Sequence, residues 1–154
     1  MAECKNIMVY VETAEGNPVK VGLEMLSPAK KLADKVTAVV IGGGVADAAK
    51  EVAKAGADQV ICVDSEDYKE FNLDAYAQVL VELVKEENPE AVFVGGTQDG
   101  KDIAPVVAAK CNTGCASDVL DIKAEDGEVI YTCPLYGGTV LEDVKIKTTP
   151  QKET

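Results

Sequence analysis

The residues best suited to chemistry form one short run, Gly95-Gly96-Thr97-Gln98-Asp99-Gly100-Lys101-Asp102, between the apolar Val92-Phe93-Val94 and an apolar pattern resuming at Ile103. A glycine turn leading from a strand into a helix offers free backbone N–H groups to an anion, and Thr97 and Lys101 are ordinary phosphate ligands. Gly96, Thr97 and Lys101 are therefore the candidate cofactor-binding residues, with a nucleotide as ligand. The run is not a P-loop, because Gly100-Lys101 lacks the following Ser or Thr and the required spacing. Asp99 and Asp102 would also oppose a phosphate. A cap made by Asp99 or Asp102 on its own helix accounts for both acids without any ligand.

The other candidates have plainer explanations. Gly42-Gly43-Gly44 follows an apolar run but continues Val45-Ala46-Asp47, without the G-x-G-x-x-G spacing of a dinucleotide fingerprint, so close turning of a strand into a helix suffices. Cys111 and Cys115 have no second pair and the chain has no His, which argues against a zinc or iron–sulfur site. Without His there is no Ser-His-Asp or Cys-His nucleophile, and no carboxylates show the spacing of an acid/base pair. No catalytic residue and no metal ligand are assigned.

These residues need an alternating scaffold to position them. Asn6–Glu12, Lys35–Gly44, Gln59–Asp64 and Ala91–Val94 read as strands. Between them, Val21–Asp34 reads as one helix in which Pro28 either makes a kink, the reading preferred, or starts the regular part behind the N-cap candidate Ser27; Ala46–Ala55 reads as a small-residue helix stopped by Gly56, and Leu73–Glu87 as a helix ended by Asn88-Pro89. In the Leu73–Glu87 segment Tyr76, Leu80 and Leu83 form a core stripe. A helix over Ile103–Ala109 carries Pro105 in its first turn, and Gly114 ends it. Four strands alternating with four helices predict a parallel sheet covered on both faces. After Gly114, Ala116–Lys123, Glu128–Pro134 and Thr139–Lys147 read as an antiparallel three-strand meander, with turns at Glu125-Asp126-Gly127 and Tyr136-Gly137-Gly138. Thr148–Thr154 is polar, contains Pro150 and is expected to fray or lead elsewhere.

Composition narrows the partners. A chain of 154 residues fits one domain, and 15 Lys plus Arg against 27 Asp plus Glu give a net charge of −12, which repels nucleic acid and acidic membrane surfaces. Five Tyr, two Phe and no Trp leave few platforms for stacking a flavin or a base. No apolar run approaches the roughly 18 to 20 residues that span a bilayer, and MAECKNIMVY lacks the layout of a signal peptide. The expectation is a cytoplasmic chain whose five cysteines are free thiols.

The order KNIMVYVET, LEMLSPAKKLADKVTAVVIG, AGADQVICVD, AVFVGGTQDGKDIAPVVAAKCNTGCASDV and PLYGGTVLEDVKIKTTPQ resembles the N-terminal domain of the electron transfer flavoprotein alpha subunit over nearly the whole chain. The segments Gly95–Asp118 and Pro134–Gln151 carry most of that resemblance. It implies a Rossmann-like α/β unit of adenine nucleotide alpha hydrolase type over residues 1–150, with 151–154 leading towards a separate FAD domain. It further implies pairing with the related beta subunit, which holds AMP or a second FAD. The FAD that shuttles electrons from acyl-CoA or other dehydrogenases is held mainly by the alpha subunit's C-terminal domain. On this resemblance the present stretch is a non-catalytic scaffold whose own pocket is vestigial, either a portion of a full alpha subunit or a naturally short protein. A stand-alone adenine-nucleotide module resembling universal stress proteins is the alternative, although Gly95–Asp102 lacks their spaced glycines ending in Gly-Ser or Gly-Thr.

Overall fold

The computed structural model describes residues 4–116, 119, 121–125, 128–135, 140–145 and 151–153. Its centre is a parallel sheet formed by β1 (Cys4–Tyr10), β4 (Ala33–Gly42), β5 (Gln59–Asp64), β6 (Ala91–Val94), β7 (Cys115–Ala116) and β11 (Gln151–Glu153), in the spatial order β5-β4-β1-β6-β11-β7. A small hairpin, β2 (Thr13–Ala14) with β3 (Asn17–Pro18), follows the first strand. Its turn residues Glu15 and Gly16 both have positive φ, as the twist of a two-residue hairpin requires.

The pleat sends alternate side chains to opposite faces, and each face is covered. Ile7, Val9 and Val11, with Val36, Ala38 and Val40, face α1 (Lys20–Glu24), α2 (Leu26–Leu32) and α3 (Ala46–Lys54). Met8 and Tyr10, with Val39, Ile41, Val92 and Val94, face α4 (Leu73–Glu87) and α5 (Gln98–Lys110). The predicted meander is present: β8 (Asp121–Glu125), β9 (Glu128–Leu135) and β10 (Val140–Lys145) pair antiparallel in the order β10-β9-β8. Its fully buried Tyr131 and its Cys133 join the core on the α2 side. The turns expected at Asp126-Gly127 and Tyr136-Gly137-Gly138 lie outside the described residues.

Several local expectations change. The segment expected to be one kinked helix splits at Met25 into α1 and α2, and its last residues Ala33 and Asp34 belong to β4, where Ala33 lies opposite Cys4. Pro28 is the third residue of α2, in the first turn where an N–H has no helical partner to lose. Pro105 falls in the interior of α5, because that helix starts at Gln98 rather than near Ile103. The same helix ends at Lys110 without Gly114: Asn112 takes the left-handed conformation at φ 59°. The Thr113 N–H then bonds Ala108 O and the Asn112 N–H bonds Ala109 O, a Schellman closure. The segment read as one strand from Ala116 contributes first to the parallel sheet, as β7, and then to the meander, as β8. Gln151–Glu153, expected to fray, instead pairs in parallel with β6 on one side and β7 on the other.

Candidate functional site

A cavity of about 400 Å³ opens at the carboxyl ends of β1 and β4, where open α/β sheets hold their ligands. Its walls come from Tyr10 and Glu12 at the end of β1, the hairpin residues Thr13, Glu15 and Gly16, and the Gly42-Gly43-Gly44 turn. Lys69, Phe71 and Tyr76 close the far side, and Asp99 reaches in from the first turn of α5.

The turn after β6 is shaped by close contacts. A Cβ on Gly100 would lie 1.9 Å from the Gly95 carbonyl oxygen, and one on Gly95 would lie 2.8 Å from Val21 Cγ1, so both glycines are required by close packing. Thr97 caps α5, its Oγ1 accepting the Gly100 N–H at 3.0 Å, so the cap is neither Asp99 nor Asp102. The Thr97 hydroxyl proton goes to Glu12 Oε1 at 2.5 Å. Both capacities of that hydroxyl are thus directed inward, one to the helix and one to the end of β1.

The second glycine turn is also occupied by protein. Gly44, at φ +70°, donates its N–H to Asp64 Oδ1 at 2.7 Å, so a resident carboxylate holds a group that a phosphate would use. A Cβ on Gly43 would meet the Lys69 Cα at 3.1 Å. Close approach of this turn to the chain at Lys69 explains that glycine.

Electrostatics inside the cavity are negative. Burial pushes Glu12 above the ordinary carboxylate range; the Thr97 hydroxyl opposes the shift and the Asp99 carboxylate adds to it. Burial drives the Tyr10 phenol far above its usual value, with Glu12, Tyr76 and Asp99 reinforcing the shift. Tyr76 moves the same way through burial and Asp99. The Tyr76 hydroxyl donates to the Tyr68 carbonyl, and the Phe71 ring meets the Tyr76 ring edge to face at 5.0 Å between centroids.

Of the three sequence-predicted residues, Gly96 is exposed in the turn, Thr97 is half-buried at the cap and Lys101 is exposed on α5. Their neighbour Asp99 lines the cavity, whereas these three are not among its lining residues. Tyr10, Glu12, Glu15 and Tyr76, which line the cavity, carry no site motif in the sequence. The usable signal was positional: Glu12 is the first charged residue after the apolar run of β1, at the strand end where a ligand would sit. Among the described residues no three His, Cys, Asp or Glu side chains are grouped to hold a metal ion, and no helix is long and apolar enough to cross a membrane.

Residues 7–152 match the electron transfer flavoprotein domain. The chain belongs to the electron transfer flavoprotein family. It is 38% identical over 142 residues to an electron transfer flavoprotein subunit alpha of Syntrophomonas wolfei, covering 92% of this chain and 45% of that protein. It is 36% identical over 149 residues to the subunit alpha of Clostridium acetobutylicum, covering 93% of this chain and 44% of that one. A protein of Anaerotignum propionicum named acryloyl-CoA reductase electron transfer subunit beta is 34% identical over 154 residues, at 97% and 41% coverage. The chain thus spans less than half the length of these relatives, and the electron transfer flavoprotein fold expected from its residues is the one it has.

Proposed function

We propose that this chain is the N-terminal scaffold domain of an electron transfer flavoprotein alpha subunit, carrying no catalytic residue of its own. The observation behind this reading is the family match across residues 7–152 together with alpha-subunit relatives matched over only about 45% of their length. The flavin that carries the electrons belongs in this reading to the remainder of the alpha subunit, and AMP or a second FAD to the beta subunit. The partners are that beta subunit and, through the complex, acyl-CoA or other dehydrogenases, in the cytoplasm.

Among the described residues, those lining the cavity do not fit FAD or AMP. Among the described residues, Glu12, Glu15 and Asp99 line the cavity with a single ammonium, that of Lys69, and the Gly44 N–H is taken by Asp64, so a phosphate would meet repulsion and one fewer backbone donor. Gly96, Thr97 and Lys101 are in this reading the remnant of a nucleotide cradle, kept as an open turn, a helix cap and helix surface.

Pairing is the direct test. Mixed with its cognate beta subunit at micromolar concentration, the chain should elute from size exclusion as a one-to-one complex. Two separate peaks would overturn the assignment.

A further inference from the structure

The electron-transfer reading leaves the cavity at the ends of β1 and β4 without a role, and two independent observations suggest one. The first is charge: among the described residues, three carboxylates, on Glu12, Glu15 and Asp99, line the cavity with one ammonium, on Lys69. The second is Tyr10. Its side chain is 2% exposed, it lines the cavity, and its phenol interacts electrostatically with Glu12, Tyr76 and Asp99, all of which line the same space. Among the described residues the Tyr10 hydroxyl makes no hydrogen bond, while the neighbouring Tyr76 hydroxyl has the Tyr68 carbonyl. Buried hydroxyls are ordinarily satisfied, so one without a protein partner in the wall of a ligand-sized cavity is available to a ligand.

The chemistry of that partner is constrained from several sides. An anion is disfavoured by the three carboxylates. A compact metal ion is disfavoured because no three of the acidic groups among the described residues converge on one point. Carboxylates spread around a space of about 400 Å³ suit positive charges that are themselves spaced along a chain. The rings of Phe71 and Tyr76 on one wall offer apolar faces to methylene groups and quadrupoles to an ammonium. Glu12 uses one oxygen on Thr97 and retains acceptor capacity.

We infer that this cavity binds a small aliphatic polyammonium, whose N–H groups donate to Glu12, Asp99 and the Tyr10 oxygen while its methylene chain lies along Phe71 and Tyr76. A cation there also offsets the Asp99 repulsion that adds to burial in raising Glu12. This inference does not depend on the pairing reading, since the site is made by this chain alone.

Calorimetry on the protein with spermidine as probe tests it, with AMP and Mg²⁺ as competitors. Saturable one-to-one binding is expected, and Glu12→Gln and Asp99→Asn should each weaken it at least tenfold. Tyr10→Phe removes only the oxygen and should weaken it several-fold without lowering the melting temperature. The exposed carboxylates Glu51 and Glu86 serve as charge-matched controls, and Glu51→Gln and Glu86→Gln should stay within twofold of the parent. Non-saturating heats, or equal weakening in the controls, would mean diffuse attraction to a chain of net charge −12 and would overturn the site. Tighter binding of AMP than of spermidine would overturn the ligand class. Shifts of backbone amide resonances clustered at residues 10–16, 42–45 and 99 give a readout independent of any variant's stability.

Discussion

Gly100 has no room for a methyl group, because its Cβ would sit 1.9 Å from a backbone oxygen that cannot swing away. Gly100→Ala should therefore cost about 3 kcal/mol in urea unfolding, at the upper end of overpacking costs, whereas Gly96→Ala, with nothing within 4 Å, should change stability by less than about 0.5 kcal/mol. Thr97 caps α5 through one hydroxyl that also serves Glu12, so Thr97→Ala should lose about 1 kcal/mol and Thr97→Ser should retain most of it. Two carboxylates at this scale give opposite pH dependences. Burial raises the folded-state pKa of Glu12 above the ordinary 4.5, so the folded chain holds that proton more tightly; the linked stability is full below 4.5 and is lost as pH rises through the folded value. Asp58 is lowered from 3.8, first by the Lys30 ammonium and then by the Val36 N–H, so its contribution is present above 3.8 and lost as pH falls through its folded value. Melting curves across pH should show Glu12→Gln removing the decline on the alkaline side of 4.5, and Asp58→Asn flattening only the acid limb below 3.8. A Glu12→Gln profile parallel to that of the parent would contradict the burial argument.

Whole elements were legible where composition alone decides them. β5 and α4 appear between the residues expected, because Gln59–Asp64 is an apolar run and Leu73–Glu87 is closed at both ends, by Asn72 accepting the Ala75 N–H and by Asn88 in the left-handed region. Boundaries set by tertiary contact were not legible. Helix α1 lies so close to the chain just past β1 that a Cβ on Gly22 would be 2.8 Å from Val11 Cγ1, a fact about how two segments pack that no local pattern carries. The glycine turns of the candidate site could be read from sequence, but its cavity could not. Tyr10 looks like strand core and Tyr76 like helix core, and only the parallel pairing of β1 with β6 brings Glu12 beside Thr97 and Asp99. Helix α5 is the element where local preference and observed structure conflict. Exposed Pro105 sits inside it and cannot supply an N–H to the carbonyl one turn earlier. Replacing it by Ala restores that bond at the expense of a more flexible unfolded chain, so Pro105→Ala should stabilise by about 1 to 2 kcal/mol net. A higher urea midpoint with an unchanged slope would show it; a lower midpoint would mean the ring makes a contact that outweighs the lost bond.

At the scale of the molecule, the strands of the open sheet lie in an order that the chain's sequence order hides. The meander departs after β7 and the chain returns at β11, between β6 and β7, so a polar Gln151-Lys152-Glu153 segment completes a sheet whose other main strands are apolar. A parallel ladder asks only for backbone groups, which is why composition gave no sign of it. Among the described pairings β7 reaches the sheet through β11 alone, and β6 has β1 on one side and β11 on the other. Deleting residues 151–154 should therefore turn β6 into an edge and release β7 from the ladder. With net contributions of about 1 kcal/mol per hydrogen bond, losing this short double ladder should cost about 3 kcal/mol and lower the urea midpoint accordingly. Amide exchange should localise the effect: faster at residues 91–94 and 115–116, and unchanged at β4 and β5, which pair with each other on the far side of β1. Unaltered protection at residues 91–94 in the shortened chain would show that β11 adds nothing to the sheet it joins.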